Sequence, residues 1–188
     1  MKKTLLFYLS FITVFVITEG CHSSSGIYKN DNKNRIYTGQ LSDSTFFSLK
    51  KVLSTSANST LKDTIIIKYD YNNETCWKIL DQSADSHIMG FVTRHQDRVK
   101  GTLAARQDIS VFEFREPGNN LNKIKKWNNS ILIDSTRQVF NMLFRERSTC
   151  GSSIIIMPDR KFVFIRSDSH SDVLDLTKTQ IEALLNKK

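Results

Sequence analysis

The stretch Asp63-Thr64-Ile65-Ile66-Ile67-Lys68-Tyr69-Asp70-Tyr71-Asn72-Asn73-Glu74-Thr75-Cys76-Trp77-Lys78-Ile79-Leu80 reads as a strand, a polar break and the start of a helix. Thr64 to Ile67 favour β structure and Tyr69 follows them, so the short apolar run predicts a strand buried on both faces and central in a sheet. Asp70, Asn72 and Asn73 interrupt it. Thr75 or Asn73 then caps a helix beginning at Cys76 or Trp77. A cysteine therefore stands where strand hands over to helix, and the positive end of the helix macrodipole favours thiolate over thiol there.

Further out, helical spacing of Trp77, Leu80, Ala84, Ile88 and Phe91 carries that helix to about His95, with Gly90 and Asp85-Ser86 as weak points. Upstream, Ser42 or Asp43 caps a short helix whose Phe46, Leu49 and Leu53 form one stripe. Downstream, Ile109 to Phe114 predicts a strand ended by Pro117-Gly118. A short helix follows around Leu121, Ile124 and Trp127, then a strand over residues 130–134. A helix through Val139, Phe140, Leu143 and Phe144 starts from Ser135 or Thr136. Residues 153–157 and 162–165 form an antiparallel hairpin turned by Pro158-Asp159-Arg160. Thr177 and Gln180 form a capping box for a last helix, with Ile181, Leu184 and Leu185 facing inward. This order implies an α/β sandwich with a mixed central sheet and helices on both faces.

The chain has 188 residues, 39% hydrophobic and 24% charged, enough for one domain with a real core. Its first twenty residues stand apart. Lys2 and Lys3 precede the mainly apolar run from Leu5 to Ile17, and Gly20 precedes Cys21, the layout of an export signal rather than of a membrane span. Residues 1–20 are thus expected to be a signal peptide, residues 21–38 a flexible tether rich in Ser and Asn, and residues 39–188 the domain. Gly20-Cys21 resembles the end of a bacterial lipoprotein signal, which implies lipid attachment at Cys21. Thr18 and Glu19 depart from the usual pattern, and an ordinary cleaved signal with Cys21 unmodified or disulfide-bonded is the alternative. The expected location is the cell envelope, membrane-anchored and facing the periplasm or cell surface.

Of 27 basic and 19 acidic side chains, the signal takes two lysines and one glutamate, leaving a mature formal charge of about +7. No aromatics alternate with Arg94, Arg98, Lys100, Arg106, Lys123, Lys125 and Lys126, so nucleic acid is not an expected partner. An anionic membrane surface or plain solvation accounts for the basic excess. Asp168, His170 and Asp172 could offer three metal ligands, but a polar Ser/Asp turn explains them too. His87 and His95 lie too far apart for paired ligands on a helix. No metal or cofactor is assigned, and no Gly-x-Ser-x-Gly or phosphate loop is present.

Two further segments carry a family likeness: residues 133–139, Ile-Asp-Ser-Thr-Arg-Gln-Val, and residues 151–163, Gly-Ser-Ser-Ile-Ile-Ile-Met-Pro-Asp-Arg-Lys-Phe-Val. With the order of elements they resemble the exported thioredoxin-like proteins of the TlpA and ResA type, over roughly Gly39 to Leu185. The resemblance implies a thioredoxin-like three-layer sandwich. Members that exchange disulfides carry Cys-x-x-Cys where the first strand meets the first helix. Here neither Asn73 nor Ile79, the residues three positions from Cys76, is a cysteine. Gly151 takes the place of the family's cis-proline, preceded by Cys150, and a trans loop is expected.

In the thioredoxin-like arrangement that loop lies against the N-terminus of the first helix. The resemblance thus implies that Cys76 and Cys150 are neighbours, either bridged or as two nearby thiols. Thr75, Trp77 and Gly151 would line the site. Two functions stay open: a binding or accessory protein holding a protein or peptide partner beside Cys76, or an atypical thiol-disulfide oxidoreductase in which Cys76 attacks and Cys150 resolves.

Overall fold

A computed structural model describes residues 33–187 apart from 58–59, 73 and 119–121. The signal and lipid-site assignments, Cys21 included, lie outside the described residues. Among the described residues no helix is long and apolar enough to cross a membrane.

The central strand is the one expected. β2 (Thr64–Asp70) is buried along nearly its whole length, and it sits between β3 (Ile109–Arg115), which it pairs in parallel, and β5 (Ser152–Ile156), which it pairs antiparallel. β6 (Lys161–Arg166) returns from β5 as the expected hairpin, and β4 (Leu132–Ile133) extends β3 in parallel. β1 (Ile36–Gln40) closes the far edge against β6, so the six strands run β1-β6-β5-β2-β3-β4. The tether expected to reach residue 38 therefore ends earlier. Residues 36–38 belong to the sheet, because Thr38 and Gly39 lie opposite Val163 and Phe162. A Cβ on Gly39 would meet the Phe162 ring at 2.7 Å.

Helices cover both faces of this mixed sheet. On one face α1 (Asp43–Ala57) and α5 (Gln138–Leu143) bury Phe46, Leu49, Leu53 and Val139 against Ile65, Ile67 and Tyr69 of β2. Ser42 caps α1 as expected, accepting the Thr45 N–H at 3.2 Å. On the other face a 3-10 turn (Asp172–Asp175) and α6 (Lys178–Leu185) pack Val173, Leu174 and Ile181 against Ile66, Ile155 and Val163. α6 carries the expected capping box of Thr177 and Gln180. A third cluster joins α2 (Thr75–Gln82), α3 (Asp85–Ala105) and α4 (Asn122–Trp127) through Trp77, Ile88, Val92 and Ile124.

Several local expectations change. The single helix after β2 is two helices, broken at Ser83 and Ala84, which are both extended; the Ser83 hydroxyl turns back to the Ile79 carbonyl at 3.0 Å. α3 runs ten residues beyond His95 and passes through Gly90. Neither Asn73 nor Thr75 is the cap of α2. Glu74 holds that position, Thr75 is the first helical residue with its side chain outside the described set, and Asn73 lies outside the described residues. At α5 the cap position falls not on Ser135 or Thr136 but on Arg137, in left-handed backbone, and the Asp134 side chain accepts the first-turn N–H groups of Val139 at 3.3 Å and Phe140 at 2.8 Å.

Candidate functional site

Three local features bring the site together at the C-terminal end of β2. The chain leaves β2 at Asp70, crosses the polar break and enters α2, which places Cys76 in the first turn of that helix. The bend before β5 comes down on the same spot. Its Cys150 and Gly151 both adopt left-handed backbone, with φ of 64° and 75°. Gly151 has no alternative there, since a Cβ would stand 2.4 Å from Asp70 Oδ1 and 2.8 Å from the Tyr69 carbonyl. No cis peptide occurs among the described residues, so this bend is trans as expected.

Cys76 and Cys150 are joined by a disulfide, with Cα atoms 5.3 Å apart and 74 positions between them in the chain. Both are half-buried. They open on a groove of about 200 Å³ walled by Trp77, Ile79, Leu80 and Phe91, with His87 and His170 at its rim. Ile79 is 62% exposed, so this wall is apolar surface facing solvent. Trp77 is buried, and its ring meets Phe91 edge-on with centroids 6.2 Å apart. A larger cavity, about 670 Å³, lies between α1 and α5 over β3 and β4, and it shares no lining residue with the disulfide groove.

Behind the disulfide lies a set of buried charges that the sequence reading passed over. Lys68 of β2 donates to the Asp168 carbonyl at 2.7 Å, lies 3.6 Å from Asp70 Oδ1 and sits 5.9 Å from the Trp77 ring centroid. Burial works against its ammonium, but Asp70, Asp168, Glu113 and Glu74 outweigh burial and raise its pKa. The Asp70 carboxyl is raised above the ordinary range by burial, against the pull of Lys68. Burial likewise opposes the Glu113 carboxylate, yet bonds from His95 and from Asn128 at 2.9 Å hold its pKa down. A small cavity of about 30 Å³ lies among Lys68, Asp70, Trp77, His95 and Glu113, enough for a water molecule.

Glu74 completes the set. It is almost fully buried and accepts the backbone N–H groups of Cys150 and Gly151. Burial and the neighbouring Asp70 push its pKa up to about 8, against those two N–H groups and Lys68. One signal for this cluster was legible. In a strand buried on both faces, Lys68 and Asp70 fall on one face and must find partners there.

Asp168, His170 and Asp172 do not converge on a metal. Asp168 is fully buried and accepts the Ser153 hydroxyl and the Asp172 N–H, the latter at 2.7 Å, which ties the turn to the sheet. Asp172 pairs instead with Arg35 at 2.5 Å, and His170 lines the disulfide groove. Among the described residues no group of three His, Cys, Asp or Glu side chains could hold a metal ion. No family model, curated protein or solved structure matches the chain.

Proposed function

We propose that this chain is an exported, lipid-anchored thioredoxin-like domain of the cell envelope, and that Cys76 and Cys150 form its redox-active pair. The observation that carries the reading is one half-buried disulfide between the first turn of α2 and the bend before β5, open to an apolar groove. That meeting of bend and helix start is the arrangement the family resemblance implies. The groove suits the apolar residues beside a cysteine in an exported protein or peptide.

The exchange runs as follows. In the reduced protein the Cys76 thiolate attacks one sulfur of a substrate disulfide, and the other substrate sulfur leaves as a thiolate that takes up a proton. Cys150 then loses its proton and attacks Cys76 Sγ, releasing the second substrate thiolate and closing the Cys76–Cys150 bond. Two electrons pass from protein to substrate. Turnover of a peptide disulfide with a chemical reductant tests this, with Cys76→Ser expected to be inactive and Cys150→Ser to accumulate a mixed disulfide. Absence of both turnover and mixed disulfide removes the enzymatic reading.

The exposure of Ile79 in the groove wall favours a second reading, a binding or accessory protein whose bridge only stiffens the groove. It predicts that Ile79→Asp abolishes peptide capture while the double serine variant retains it. Mass spectrometry of the mature N-terminus tests the anchor. A terminus that is unmodified and away from Cys21 overturns it.

A further inference from the structure

Glu74 occupies the cap position of α2 with extended backbone, φ −96° and ψ 155°, yet its side chain makes no capping bond to its own helix. The carboxyl group turns across to the facing bend, where it accepts the N–H groups of Cys150 and Gly151. Two successive left-handed residues aim two successive N–H groups at one point, a concavity that suits an acceptor oxygen, and here the oxygen is supplied by the protein's own Glu74. Its second oxygen, Oε1, is buried without a partner.

Cys150 is not glycine, and a left-handed conformation there needs something to hold it. In the oxidised protein the disulfide and Glu74 both act on Cys150 itself, while Ser148 and Asp168 donate to the Gly151 carbonyl beside it. During exchange the disulfide is broken, because Cys76 is then bonded to substrate. Glu74, two positions before Cys76 in the chain, then still ties the two cysteine segments together.

We propose that Glu74 is a positioning residue for the disulfide exchange, holding the backbone of Cys150 so that its thiol stays within reach of Cys76 Sγ while the mixed disulfide exists. The proposal rests on the redox reading above for its role, but it concerns an equilibrium that can be measured without a natural substrate. A high effective concentration of the Cys150 thiol at Cys76 favours the closed bridge and keeps the mixed disulfide short-lived.

The test equilibrates the full-length chain with mixtures of reduced and oxidised glutathione, and reads the peptides carrying Cys76 and Cys150 by mass spectrometry, which keeps Cys21 out of the measurement. The Cys76 thiolate takes one glutathione sulfur and releases the other as glutathione thiolate. Cys150 then displaces the bound glutathione. Glu74→Ala is expected to lower the closing constant roughly tenfold, about 30 mV in potential, and to let Cys76–glutathione accumulate. Glu74→Gln keeps one acceptor oxygen and is expected to lose only roughly threefold. The constant compares two folded forms, so a loss of stability common to both leaves it unmoved.

A Glu74→Ala constant within about twofold of wild type overturns the proposal. Where Glu74→Ala does not fold, Glu74→Gln carries the test, and an unchanged constant there overturns it equally. If peptide disulfides are not turned over but the glutathione constant still falls in the variants, the redox function fails and the positioning role stands.

Discussion

Removing the Cys76–Cys150 bridge, by Cys76→Ser with Cys150→Ser or by reduction, frees the unfolded chain from a crosslink spanning 74 positions. For a loop of that length the chain-entropy relation gives about 15 cal/mol/K, or about 4.5 kcal/mol at 25 °C. Part of this is offset in the native state, because an opened bridge lets Cys150 relax from its φ of 64°. A non-glycine residue held there costs about 1–2 kcal/mol, and Glu74 prevents full relief. The net expected loss is about 3–4 kcal/mol. Urea unfolding of the oxidised, reduced and double-serine proteins measures it, and melting temperatures should fall by roughly 6–16 °C. By linkage, the fold makes the bridge harder to reduce by the same free energy, roughly 65–85 mV relative to the unfolded chain. A double-serine protein within about 1 kcal/mol of the oxidised wild type would refute the reasoning.

Gly151→Ala is expected to lose at least about 2 kcal/mol in urea unfolding, because the added Cβ meets Asp70 Oδ1 at 2.4 Å and the backbone has φ of 75°; a loss below about 0.5 kcal/mol refutes that account. Glu74 sets a pH dependence of opposite sign to the usual carboxylate. Its pKa is raised in the folded state from 4.5 to about 8, so between those values the folded chain keeps a proton that the unfolded chain has lost. Stability should therefore fall as pH rises through that window, by at most about 5 kcal/mol at 1.36 kcal/mol per unit. Subtracting the profile of Glu74→Gln isolates this contribution, and a difference that rises with pH contradicts it.

The parts of the fold legible in the sequence are those set by neighbouring residues. Thr64 to Ile67 mark β2 by an unbroken β-favouring run, Pro158-Asp159-Arg160 marks the hairpin turn, and Thr177 with Gln180 cap α6 through bonds three residues apart. What stayed hidden depends on distant partners. β1 is a short edge strand with a glycine, recognisable only once β6, about 125 positions later, offers it a row of partners. The break between α2 and α3 falls at Ser83 and Ala84, with no proline or glycine to mark it. Beyond His95 the surface of α3 is largely polar, so the periodic signal fades while the helix continues. Proximity of Cys76 to Cys150 was readable only through the family resemblance, since nothing local joins residues 74 positions apart.

The buried charges follow from register as well as from residue type. Along β2, Ile66, Lys68 and Asp70 share the face under α2 and α3, while Ile65, Ile67 and Tyr69 share the other. On the charged face Glu113 is held by His95 and Asn128, and Asp168 has Arg35 at 3.6 Å as well as the Ser153 hydroxyl. That leaves the Lys68 ammonium facing both Asp70 and Glu74. Burial pushes both carboxyls up, Asp70 adds to the rise at Glu74, and one ammonium shared between them does not offset the loss of water. A slip of β2 by one residue would exchange its faces and set Lys68 and Asp70 among the apolar side chains of Leu49, Leu53, Val139 and Phe144, away from the partners they have now. The same charges that tune the surroundings of the disulfide thus disfavour every one-residue misregister of the central strand, more strongly than its isoleucines, which suit either face.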